Sequence, residues 1–67
     1  MKKYIEIAKK QFFKYITVDS NGYVIAHKSL PQLNEDGEWK NEDGVYLYMD
    51  CDESSISEWS NKVIEVK

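Results

Sequence analysis

At 67 residues, with one cysteine and one histidine, the chain is sized for a single domain spanning residues 1–67 and cannot build an internal disulfide or a structural zinc centre. Its net charge of −3 hides an asymmetry: residues 1–33 hold six lysines against Glu6 and Asp19, and residues 34–67 hold ten carboxylates against three lysines. No apolar run is long enough to span a bilayer, and the start lacks a signal-peptide core, so a cytoplasmic location and no membrane partner are expected. Stability in so short a chain must come from aromatic packing or from pairing with another chain, which makes a homodimer or a tight hetero-complex an expectation.

The first ten residues read two ways. Ile5 and Ile7 alternate as in a strand, whereas Tyr4, Ile5, Ala8, Phe12, Tyr15 and Ile16 recur at helical spacing. The following hairpin claims Tyr15 and Ile16, which favours a short strand over Lys3–Ala8 and a turn at Lys9–Gln11. The helical reading is the alternative.

Tyr15 to His27 carries two β-rich runs around Asn21-Gly22, a strong hairpin cue. A two-residue turn would pair Val18 with Ile25 and mix the two faces. A three-residue loop with a left-handed Gly22 in a bulge pairs Val18 with Val24 and Ile16 with Ala26. Four apolar residues then share one face, leaving Tyr15, Thr17, Ile25 and His27 on a polar one. A buried face fixes register, so the bulged form is expected.

After Leu30-Pro31, the tetrapeptide Asn-Glu-Asp-Gly occurs at 34–37 and again at 41–44. Asp-Gly suits a turn with a left-handed exit. Glu38-Trp39-Lys40 between the copies is too short for more than a β-bridge, so Trp39 is expected to fold back on the sheet. Val45 to Met49 alternates, with Val45, Leu47 and Met49 inward and Tyr46 and Tyr48 outward. Ser55-Ile56-Ser57-Glu58 has capping-box spacing and predicts one helical turn that turns Trp59 inward. Val63 to Lys67 predicts a last strand. The expected fold is mainly β: a small antiparallel sheet of about five short strands with at most one short helical turn, or α+β if the N-terminus is helical.

Chemistry is sparse. Asp50, Asp52 and Ser54 imitate the opening of an EF-hand loop. Ser55 stands where glycine is needed, however, and Asn61 where the bidentate glutamate belongs. His27 is alone and is expected on the polar face of the hairpin. Cys51, expected half-buried at a strand end, sits between Asp50 and Asp52, which disfavour the thiolate. No serine has a histidine partner, no glycine-rich phosphate loop exists, and the carboxylates flank solvated turns where a raised acid pKa is hard to achieve. An enzyme is not expected, and no cofactor or metal is called for.

All nine basic residues are lysine. The lysine-rich first third, interleaved with Tyr4, Phe12, Phe13 and Tyr15, suits single-stranded nucleic acid in outline. The missing arginines and the acidic remainder argue against such a partner. Carboxylates beside turns point instead to a cationic protein surface. The candidate partner-binding residues are Glu35, Asp36, Glu38, Glu42, Asp43, Tyr46, Tyr48, Asp50, Asp52 and Glu53, with Glu58 nearby. Tyr46 and Tyr48 would supply an aromatic anchor inside a charged rim.

The order of Ile16 to His27 with its Asp-x-x-Gly-x-Val-x-Ala hairpin, Pro31, Asp36-Gly37-Glu38-Trp39, Tyr46-Leu47-Tyr48 and Trp59 through Val66 resembles small bacteriophage accessory proteins, a largely uncharacterised group. The resemblance covers residues 14–67. It implies a virus-encoded, non-enzymatic protein of the host cytoplasm that blocks a host or defence protein, and it carries no functional residues with it; the basic surface expected of that partner follows from the carboxylates. The alternatives are a single-stranded nucleic-acid binder using the lysine-rich third, and a self-assembling structural protein.

Overall fold

The computed structural model describes residues 1–67. In chain order the elements are helix α1 (Lys2–Lys10), strands β1 (Tyr15–Val18), β2 (Tyr23–His27), β3 (Gln32–Leu33), β4 (Trp39–Lys40) and β5 (Tyr46–Cys51), a 3-10 turn (Glu53–Ser55), helix α2 (Ile56–Trp59), and strand β6 (Ile64–Glu65). The fold is mainly β. A four-stranded antiparallel sheet runs β5-β2-β1-β6, and β3 and β4 form a separate two-stranded ribbon.

The N-terminus is helical, not the strand expected over Lys3–Ala8. Tyr4 and Ala8, one turn apart, are buried, and Lys2, Lys3, Lys9 and Lys10 stay in water. The Ile5–Ile7 alternation misleads because Ile7 is 42% exposed. α1 closes in a Schellman arrangement: Phe13 N–H donates to the Ala8 carbonyl at 2.9 Å and Phe12 N–H to that of Lys9 at 3.2 Å. Phe12 takes the left-handed position, with φ of 64°. The sheet therefore has four strands where the strand reading of the N-terminus counts five, and helix content exceeds one turn.

The β1–β2 hairpin adopts the bulged register, with Val18 opposite Val24 and Ile16 opposite Ala26. Gly22 has φ of +92°, and its carbonyl accepts the Asp52 N–H at 2.8 Å. A Cβ on Gly22 would come within 3.2 Å of the Glu53 nitrogen, so the loop after β5 packs directly on this turn. Ile16, Val18, Val24 and Ala26 are fully buried and form the core with Tyr4 and Ala8. Leu47, Met49, Ile56, Trp59, Ile64 and Val66 close its edges, so Trp59 does face inward.

The opposite face is not the wet one expected. Thr17 and His27 are also buried, because the β3–β4 ribbon and the loop after it lie against that side of the sheet. Val45 precedes the strand and is exposed, not aligned inward with Leu47 and Met49. Cys51, ending the edge strand, is exposed rather than half-buried. The capping box does not form: Ser55 makes no side-chain cap to α2, and its hydroxyl donates to Asp52 Oδ2 at 3.0 Å. Asp52 Oδ1 caps the 3-10 turn instead, accepting the Ser54 N–H at 3.1 Å.

Candidate functional site

The two Asn-Glu-Asp-Gly segments build the acidic loops. In the first, Asn34 Oδ1 accepts the N–H groups of Asp36 and Glu38, both at 3.0 Å, and Gly37 takes a positive φ of 79°. This tight turn leaves Glu35 and Asp36 exposed at the ribbon tip and hands the chain to Trp39. In the second, Asp43 Oδ1 accepts the Val45 N–H at 2.9 Å, its other oxygen takes the Ser29 hydroxyl, and Gly44 has φ of 67°. These bonds hold the Asp43 carboxyl below the usual carboxylate range, with the Ser29 hydroxyl the chief cause.

The expected binding residues divide into two groups. Glu38 and Tyr46 line a cleft of about 300 Å³ between the ribbon and the sheet. Glu42 and Asp43 line a neighbouring depression, and Lys40 and Asn41 border both. Tyr46 and Tyr48 project from the outer face of β5, 62% and 53% exposed. Tyr48 meets Tyr23 edge to face with ring centroids 5.5 Å apart.

The second group belongs to the helix side of the sheet. The β2–β5 register slips between Val24 and Ile25, which oppose Asp50 and Tyr48, so Met49 is a bulge. The bulge turns Asp50 toward α1, where the Tyr4 hydroxyl donates to its Oδ2 at 2.7 Å and lies 3.3 Å from Asp52 Oδ2. The Tyr4 bond holds the Asp50 carboxyl low, and the Ser54 and Ser55 hydroxyls do the same for Asp52. Asp50 and Asp52 thus serve helix docking and capping, and of this group Glu53 is the exposed one.

The cleft contains residues that sequence reasoning left out of the site. Asp19, at the end of β1, is 6% exposed, and its Oδ1 accepts the Trp39 N–H at 3.1 Å. Burial raises its carboxyl above the usual range against the opposing pull of that bond, and Glu38 adds repulsion. Trp39 is half-buried, and its indole Nε1–H donates to the Ser60 carbonyl at 3.1 Å. Asn41 Nδ2 donates to the Val45 carbonyl and to His27 Nδ1, the latter at 2.6 Å. Since Nδ1 accepts, Nε2 carries the proton and donates to Thr17 Oγ1 at 2.7 Å. Burial lowers the His27 pKa, with the Asp43 carboxylate opposing, so the ring is neutral and both nitrogens are committed to structure. The sequence signal for the cleft was the β-turn pair around Trp39, which places an indole against whatever the turns fold onto.

No helix is long and apolar enough to cross a membrane. No protein-family model matches the chain, and neither a curated protein nor a solved structure matches it.

Proposed function

We propose that the protein acts by stoichiometric binding to a protein partner with a basic surface, through the face that carries the β3–β4 ribbon, the β4–β5 loop and the outer tyrosines of β5. The observation that carries this reading is the pair Tyr46 and Tyr48, large rings standing exposed on an edge strand. The carboxylates of Glu38, Glu42 and Asp43 line the adjoining hollows. Exposed aromatics framed by charge are the usual anatomy of an interface centre and its rim. The motif resemblance extends the reading to a virus-encoded factor that inhibits a host or defence protein in the host cytoplasm.

Glu35, Asp36 and Glu42 are the informative positions, because their side chains make no hydrogen bonds that shape the fold. Reversing all three to lysine is expected to abolish co-purification with the partner while circular dichroism stays unchanged. Undiminished capture by the folded triple variant would overturn the reading.

A second reading is favoured by one feature. β5 is a sheet edge six residues long, so its outer backbone groups are open to a further strand. Self-pairing along this edge predicts a concentration-dependent mass by light scattering that Tyr48→Lys removes. The nucleic-acid alternative has less behind it: Tyr4 is buried, and Phe13 and Tyr15 are half-buried, which leaves Phe12 as the free stacking ring.

A further inference from the structure

The cleft between the ribbon and the sheet holds a carboxylate whose environment is incomplete. Asp19 is more than nine-tenths buried, and only its Oδ1 has a partner, the Trp39 N–H. No side-chain nitrogen or oxygen in the protein is both buried and unsatisfied, so the unpartnered Oδ2 keeps contact with solvent, and Asp19 is one of the residues lining the cleft. Glu38, another anion, repels this carboxylate. A buried carboxylate without a cation is costly, and it is satisfied most simply by a cation arriving from outside.

The walls match such a visitor. Trp39 and Tyr46 line the space, and aromatic faces attract ammonium and guanidinium heads. A volume of about 300 Å³ lies at the small end of ligand sites and suits one long side chain better than a cofactor. His27 and Asn41, also in the lining, are committed to one another and to Thr17 and Val45, so they are unavailable to a ligand.

We propose that this cleft receives a single lysine or arginine side chain of the partner protein, its charged head seated against Asp19 Oδ2 and its stem between Trp39 and Tyr46. The proposal rests on the partner-binding reading above and names the point where the partner is anchored. Lys40 supplies the opposing charge at the rim. Its neutralisation strengthens binding.

The test is a titration of the full chain, following the Trp39 indole N–H by NMR. The probes are N-acetyl-arginine methylamide, N-acetyl-lysine methylamide and, as the uncharged control, N-acetyl-norleucine methylamide. The cationic probes are expected to shift the Trp39 signal saturably, and the norleucine probe is not. Asp19→Asn, which keeps the acceptor for the Trp39 N–H, is expected to weaken binding about tenfold, and Lys40→Gln to tighten it. If Asp19→Asn fails to fold, Tyr46→Ala at the exposed wall serves the same purpose. Equal response to all three probes, or no response, overturns the proposal. Should partner capture then still depend on Glu35, Asp36 and Glu42, the general reading survives without the cleft. Cationic probes that bind where no partner is captured support the cleft and overturn the general reading.

Discussion

Phe12 sits where a helix most often places glycine, in the left-handed conformation with φ of 64°, and its ring is 81% exposed. A side chain there costs roughly 1–2 kcal/mol and gains little packing in return. Phe12→Gly is therefore expected to stabilise the fold by about 0.5–1 kcal/mol once the added freedom of the unfolded chain is counted, measured by urea denaturation. His27 shows the opposite balance, a ring held neutral by burial and two hydrogen bonds. Its folded pKa is depressed, so the unfolded chain binds the proton more readily. Stability from this residue is complete above the unfolded value of about 6.5 and is lost as pH falls through the folded pKa. A stability profile from pH 8 to pH 5 should decline toward acid, and His27→Gln should flatten it. The burial of His27 was not legible in the sequence. Strand alternation places it on the polar side of the hairpin, and only the distant ribbon covers that side.

Among the elements, the junction of α1 with β5 depends on one long-range bond. Tyr4 on the helix reaches Asp50 at the bulge, 46 residues away, with Ala8 packed flat on the sheet one turn later. Tyr4→Phe keeps the ring and removes the hydroxyl. It should lower the melting temperature at neutral pH, with the difference from wild type closing in acid. The sign follows from Asp50, whose folded pKa is depressed chiefly by this hydroxyl. Its contribution is present above the unfolded carboxylate value of about 3.9 and disappears as pH falls through the folded pKa. Element by element, the hairpin and its register could be read from local sequence, because the Asn-Gly turn and the four apolar residues agree. The helix could not, since nine residues with both alternating and helical apolar spacing are decided by what they pack against.

For the whole molecule, the core is small: six buried hydrophobic residues hold together 67. Total stability at this size is about 3–10 kcal/mol, on typical per-residue values. Ile16 is fully buried in a central strand, and Ile16→Ala should cost about 2–5 kcal/mol. That consumes most of the margin, so the variant should be largely unfolded at 37 °C by circular dichroism, whereas Glu35→Lys at the ribbon tip should leave the melting curve in place.

Local chemistry in the chain was enough to determine the β1–β2 register, the two left-handed Asp-Gly turns, the shared face of Tyr46 and Tyr48, and the mainly β class. Each depends on neighbours within a few positions, where turn preference and side-chain alternation act directly. Tertiary structure alone decided that Asp50 turns away from the acidic face toward Tyr4. It also decided that Asp19, Trp39 and Tyr46 share one cleft. The Asp50–Tyr4 and Asp19–Trp39 contacts depend on a bulge and on a ribbon folding over a sheet, and join residues 46 and 20 positions apart that no local pattern links, whereas the Asp52 cap on Ser54 is local.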